Sequence, residues 1–245
     1  MRRENAQMPK PSTPPLYVQI RNALVARLTS GEWKPGTMLP GDAALAVEMG
    51  VSHGTIRKVV DSLAADGVLQ RYQGKGTFVT EQTPEMANFH FFRMVDAQGE
   101  RVLPEAGAEV VVTVPAGAEA ARRLNVSQGD AIILIDRVRA INTRPAVLET
   151  VEVPAALMPG LETETPLPNA LYPHYQSRHG ISVISTEDRL SAVVADAMAA
   201  NMLDVPAGSP LLLVERVAHD LTGRAVEWRR SRFRSGDMAY AVTLG

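Results

Sequence analysis

The sequence predicts an α+β chain of two modules, an N-terminal winged helix-turn-helix followed by an antiparallel sheet with helices and an internal pseudo-repeat. Three observations carry that prediction. Residues 14–80 hold three successive segments of helical apolar spacing, then two short strand-like runs around a Gly-Lys-Gly tip. Residues 109–149 align without a gap on 188–228, an offset of 79 residues. Charge also separates the two parts: residues 1–83 carry 10 Lys/Arg and 7 Asp/Glu, residues 84–245 carry 15 and 20, and every lysine lies in the first part.

In the first module, Leu16, Ile20, Leu24, Val25 and Leu28 keep helical spacing up to Gly31. Pro35-Gly36 turns the chain. A short helix follows, with Leu45, Ala46 and Met49 on one face, Asp42 near its start and Gly50 at its end. Ser52 then caps a third helix that runs through Ile56, Val59, Val60 and Leu63 to Gly67. VLQRY and TFVT read as the strands of a wing. Such a third helix presents its N-terminal face to a DNA groove. Ser52, His53, Thr55, Arg57 and Lys58 are therefore the candidate contacts on that helix, and Lys75, Gly76 and Thr77 those on the wing. Gly54 either admits close approach to DNA or is merely tolerated in the first turn.

Composition sets limits. The chain has 245 residues, 45% of them apolar, enough to bury a core. It has no cysteine, so disulfides and thiolate metal sites are excluded, and no apolar run approaches the ~20 residues of a membrane span. A cytoplasmic location is the expectation. Residues 1–13 are polar and proline-rich and read as a disordered leader rather than a signal peptide, a basic arm touching DNA being the other reading. Residues 81–87, EQTPEMA, read as a polar linker.

GVSHG at 50–54 also fits G-x-S-x-G, the nucleophile elbow of α/β-hydrolases. That elbow needs a buried strand before the serine, whereas DAALAVEMG has helical spacing. His90, His174, His179 and His219 stand in no catalytic context. His174 and His179 are five apart, wrong for one helix face, so no metal cluster is expected. GKGT at the wing lacks phosphate-loop spacing. Neither an enzyme nor a cofactor is expected.

PLYVQI, GEWKPGTMLP, LAVEMGVSHGTIRKVVDSLAADGVL and QRYQGKGTFV resemble the DNA-binding domain of the GntR family of bacterial transcription regulators. The resemblance implies binding to double-stranded operator DNA. Thr55, Arg57 and the Gly74/Gly76 wing match the family pattern. Ala43 and His53 stand where the family usually carries arginines that contact DNA, which implies a variant operator. Losing one bidentate arginine–guanine contact costs ~1–3 kcal/mol of base discrimination.

In the second module (88–245), each copy of the repeat reads as strand, short helix, glycine turn, strand, hairpin, strand. Leu124, Val126 and Gly129 align with Leu203, Val205 and Gly208, and Ala146-Val147 with Ala225-Val226. Arg137 and Arg139 share one strand face, while their counterparts are Arg216 and Ala218. Two convergent guanidiniums need an acid or a bound anion, and Glu149 in the neighbouring strand is the candidate acid. The pair is either solvated on an exposed face or part of an effector pocket for a carboxylate or phosphate.

HFFRMVDAQG, RVRAINTRPAVLETVEVPAALMPGL and LLLVERVAHDLTGRAVEWRRSRFR resemble the UTRA domain of the HutC subfamily. The resemblance implies a chorismate-lyase-like fold that binds small-molecule effectors and dimerises. It further implies effector contacts at Arg137, Arg139, Glu149, Tyr172, Glu227 and Arg234, with Ala170 where the family often has serine and Tyr175 packing. Together the modules imply a homodimeric, effector-responsive repressor. The competing readings are a second module that only dimerises, and an enzyme.

Overall fold

The computed structural model describes residues 14–236 and 238–243, so the leader lies outside the described residues. The chain divides between Val79 and Thr80 into two compact units. The first holds α1 (Leu16–Thr29), α2 (Asp42–Glu48), α3 (His53–Ala65) and the hairpin β1 (Leu69–Tyr72) and β2 (Gly76–Val79). The apolar stripes converge as their spacing requires: Leu24, Leu45, Ile56, Val59 and Leu63 are completely buried. Leu16, at the first position of α1, is exposed instead. Met38 bridges Phe78 and widens the wing.

The second unit is built on a six-stranded antiparallel sheet in the order β4-β5-β6-β9-β8-β7. Its strands are β4 (Glu105–Pro115), β5 (Ala131–Ile141), β6 (Arg144–Pro154), β7 (Val183–Val194), β8 (Pro210–Asp220) and β9 (Ala225–Arg234). Two short helices, α5 (Ala118–Leu124) and α7 (Ala197–Leu203), cover one face through Ile132 and Trp228, and through Leu148 and Leu211, respectively. Helix α6 (Leu171–His179) covers the other through Ile133, Ile135, Val151, Ala218 and Val226. A small ladder pairs β3 (Met94–Val95) with β10 (Ala239–Tyr240). No helix among the described residues is long and apolar enough to cross a membrane.

The repeat is visible in backbone detail. Asn125 and Asp204 both end their helices in the left-handed region. The N–H groups of Gly129 and Gly208 donate to Ala116 and Ala195 respectively. The offset changes at the hairpins, however. Asn142-Thr143 turns β5 into β6 with both residues at positive φ, whereas β8 turns into β9 with Asp220 N–H bonded to the Arg224 carbonyl. The second turn is one residue longer. In the sheet, Arg137 pairs with Glu149 while Arg216 pairs with Arg229. The ungapped alignment of Val147 with Val226 is therefore corrected: Val147 corresponds to Glu227 and Glu149 to Arg229. A slip of one residue changes which face each side chain takes.

The predicted polar linker is also corrected. Helix α4 spans Pro84–Phe91, and Gln82 N–H donates to Gln176 Oε1 at 2.8 Å. The start signals were present: Thr83 as cap, Pro84 at the first position and Glu85 in the first turn.

Gly107 lies in a bulge of β4 between Ala106 and Glu109, where an added Cβ would stand 2.5 Å from the Val138 carbonyl oxygen. Gly107→Ala is expected to destabilise the second unit by ~1–3 kcal/mol, the usual cost of forcing backbone apart. A lowered denaturation midpoint checks this; an unchanged midpoint contradicts it.

Candidate functional site

In the first unit, Ser52 Oγ accepts the Thr55 N–H at 3.2 Å and lies 2.9 Å from the Thr55 hydroxyl. Helix α2, not a strand, precedes it. The serine is thus a helix cap, and the hydrolase-elbow geometry is absent. The cap satisfies one of the first N–H groups of α3, and the others are free to meet a phosphate oxygen. His53, Gly54, Arg57 and Lys58 are exposed beside it. Lys75 is exposed at the wing tip, where Gly74 has φ +72° and Gly76 φ +116°. A Cβ at Gly76 would come within 3.1 Å of Met38 Sδ, the end of an exposed and flexible side chain, so the positive φ is the stronger constraint there.

One wing prediction needs correction. Thr77 is only 8% exposed and lies on the same strand face as buried Val79. Its side chain packs inward. The unpredicted residue here is Arg71, whose Nη2 lies 3.2 Å from Asp42 and 2.9 Å from Asp61 and so ties the wing to α2 and α3.

In the second unit, alternation places Arg137, Arg139, Glu149, Arg216, Glu227, Arg229 and Ser231 on the α6 face of the sheet. Glu149 is their hub. It accepts from Arg137 Nε at 2.6 Å, Arg229 Nη1 at 3.3 Å and Ser231 Oγ at 3.1 Å, and Arg139 Nη1 stands 3.7 Å away. Burial alone would raise its pKa. The charges of Arg137, Arg229 and Arg139, with the Arg137 hydrogen bond, overcome that and hold it well below the carboxylate range.

Glu227 is fully buried and saturated. Arg229 grips both its oxygens at 2.8 Å, and the hydroxyls of Tyr172 and Tyr175 donate to them at 3.0 and 2.9 Å. Tyr175 therefore does more than pack. Burial, together with the neighbouring Glu227 charge, pushes both phenols well up, so they remain donors. Arg216 is held by Asp188 through two bonds of 2.7 and 2.6 Å, and Tyr240 donates to the same acid. Arg216 and Arg229 were not predicted as contacts; the uncorrected repeat hid the second.

Arg139 is the guanidinium least compensated. It donates to the Pro104 carbonyl at 2.9 Å and to Asn169 Oδ1 at 3.0 Å, while its Nε, like Arg137 Nη2, is buried without a partner. Burial drives it down to about 10; Glu149 opposes the shift and Arg137 and Arg229 add to it. Arg139, Arg216 and Arg229 line a small cleft with Tyr172, Phe91 and Phe92, and among the described residues no carboxylate lines it. Ala170 and Leu171 also line it, at an α6 N-terminus that no side chain caps. The solvated-pair reading of Arg137 and Arg139 is thus excluded by their burial, at 2% and 4% exposure.

Arg234 is not brought to this cluster. It alternates with Arg230 and Arg232 on the opposite sheet face, donates to the Pro145 carbonyl at 3.1 Å, and lines a separate cavity with Ile141, Arg144 and Met238.

Glu149→Gln should leave three buried guanidiniums without their shared acid. The expected cost is ~3–5 kcal/mol near neutral pH. Because its folded pKa is depressed, the Glu149 contribution is complete above its unfolded value of ~4.3 and lost as pH falls below it. The variant should therefore also show a flatter loss of stability in acid. Denaturant titrations across pH check both expectations.

Comparison with known proteins agrees with this division. The UTRA domain model matches residues 105–238, and that of the gntR family of bacterial regulatory proteins matches 16–79. The chain is 28% identical over 226 residues to the HTH-type transcriptional repressor NagR of Bacillus subtilis, covering 92% of this chain and 93% of that protein. It is 27% identical to the mannosyl-D-glycerate transport/metabolism system repressor MngR of Escherichia coli, covering 94% and 95%. The solved structure of PhnF from Mycobacterium smegmatis superposes with a TM-score of 0.55 at 27% identity, covering 92% of this chain and 99% of that one. The ligand-binding domain of a GntR-family regulator from Bordetella bronchiseptica superposes on 64% of the chain and 98% of its own length with a TM-score of 0.59 at 27% identity. With a winged head, a duplicated sheet and both family models matched in order, the chain belongs to the GntR family of bacterial transcription regulators, in its UTRA-domain branch.

Proposed function

We propose that the chain is a cytoplasmic, homodimeric repressor whose hold on operator DNA weakens when a small anion, a carboxylate or phosphate, binds the α6-face cleft. The observation that carries this is the cleft lined, among the described residues, by three guanidiniums and no carboxylate beside an uncapped helix N-terminus. Two heads would read the half-sites of a near-palindrome. Ser52, His53, Thr55, Arg57, Lys58, Lys75 and the Gly76 backbone make the contacts. Tyr172, Glu149 and Glu227 position the arginines, since each acid is already engaged inside the protein. The relatives named as repressors support the sign of the regulation.

Gel shifts on the intergenic DNA upstream of the gene should show tight binding that falls steeply with salt, because each phosphate contact releases a counterion. Gly54→Ala divides the two readings of that glycine. Its added carbon would meet nothing nearer than Ser52 Oγ at 3.8 Å, so the helix should gain up to ~1 kcal/mol. Operator affinity should fall if DNA backbone approaches there, and hold if the glycine is only tolerated.

Arg139→Met keeps the bulk of the side chain and removes its charge. It should weaken the thermal shift produced by small phosphorylated or carboxylated sugars by roughly 10–100-fold in ligand concentration, the value of a hydrogen bond to a charged group. Operator binding without ligand should be unchanged. A wild-type ligand response in this variant would refute the cleft assignment.

A further inference from the structure

The loop between β6 and α6 brings a cluster together that residue spacing argues against. Glu164 follows a single 3-10 turn, Leu161–Thr163, while His174 and His179 belong to the middle and last position of α6. The two histidines are five apart and do not share a helix face, yet their ring centroids are 6.1 Å apart with Glu164 between them. Glu164 Oε2 lies 2.6 Å from His174 Nε2, and Oε1 lies 3.8 Å from His179 Nε2. All three ligand atoms fall within 4.8 Å of one another. The expectation of no metal cluster rests on spacing along one helix, whereas the third group here arrives from a loop.

A second observation points to a missing partner. The His179 side chain is 4% exposed, and its Nε2 is buried with no hydrogen-bond partner. Arg178 Nη2, 3.6 Å from Glu164 Oε1, belongs to a side chain 64% exposed and can swing away. The groups facing the gap are thus two imidazole nitrogens and one carboxylate oxygen.

We infer that Glu164, His174 and His179 form a binding site for a divalent ion of the zinc class. Two nitrogens and one oxygen suit Zn²⁺, Ni²⁺ or Co²⁺, and three protein ligands leave one position for water. Ligands about 2.0–2.1 Å from a tetrahedral ion sit roughly 3.3 Å apart; His174 Nε2 lies 2.6 Å from one Glu164 oxygen and His179 Nε2 3.8 Å from the other, so the three groups are near enough to converge on one ion. The ion would give His179 its partner and pin the loop to the C-terminal turn of α6. The same loop carries Pro168 and Asn169, which accept from Arg137 and Arg139.

The test uses the full chain without an affinity tag, stripped with chelator and titrated with Zn²⁺ by calorimetry. One ion per chain is expected, together with a raised unfolding temperature. Glu164→Gln and His179→Ala should weaken binding at least ~10-fold, the lower end of the loss seen for even an outer-shell partner of a metal. Because His179 is buried, the more exposed His174→Ala serves as the variant that keeps its fold, verified by circular dichroism. Co²⁺ bound in the site should give a visible absorption band that each variant loses. Absence of a stoichiometric Zn²⁺ event in the folded wild type, or a folded His174→Ala that binds as tightly, overturns the proposal.

Discussion

The second unit depends on one buried carboxylate. Glu149 lies between β5 and β9, and Arg137, Arg229 and Ser231 all donate to it while Arg139 stands within ion-pair range. Guanidiniums this close repel, and burying any one of them alone would cost several kcal/mol. The arrangement is tolerable because Glu149 and Glu227 are fully committed to it, each accepting from several donors. Neither acid is then available to a ligand. What remains unsatisfied is positive: a buried Nε on Arg139 and a buried Nη2 on Arg137. A well-packed apolar face is often at least as stable as buried ion pairs, and the cost of this cluster accords with the proposed role as a binding surface.

The pseudo-twofold symmetry of the sheet brings the groups of this surface together. The central pair is Thr150 with Arg230, flanked by Glu149 with Ser231 and by Val151 with Arg229. Corresponding positions in the two halves therefore sit across the axis from one another. A carboxylate at Glu149 in one copy and a guanidinium at Arg229 in the other become spatial neighbours. Val147 and Glu227 also correspond, but they lie far apart on the ladder, since Val147 pairs with Phe233. The outer arginine of the second copy, Arg216, kept its own acid in Asp188.

Much of this was legible in the sequence where local rules govern. The Ser52 cap, the glycine stops and the stripes of α1 and α3 follow from spacing and cap chemistry, and the structure reproduces them. The six long strands and the two short helices follow from the repeat. The failures have one physical origin, the loss of phase. One extra residue in the β8–β9 turn shifts every later side chain to the other face, so Arg229 was missed. Alternation along β9 likewise carries Arg234 away from Glu227. Thr77 faces inward because Gly76, not Thr77, is at the exposed position of the wing. Contacts between an element and a distant loop, such as Glu164 with His174, leave no trace in periodicity at all.

The remaining question is how binding at an arginine cleft can change anything beyond itself. A ligand shifts an equilibrium only by its differential affinity for two arrangements. In the arrangement seen, Arg139 spends its Nη2 on the Pro104 carbonyl and Asn169, two groups from separate loops. An anion entering the cleft competes for that guanidinium without touching Glu227, whose four bonds stay intact. Under the proposed function, the loops are the elements that would respond and the sheet the frame that would not. Helix α4 stands next to the same cleft through Ala87 and Phe91, and Phe91 packs edge-on against Tyr172 at 4.9 Å between centroids. The segment that the sequence presented as a passive linker is thereby part of the wall a ligand would press on. This places the origin of any response in α4 and the 161–170 loop, where contacts are few, rather than in the arginine cluster itself, where every acid is already bound.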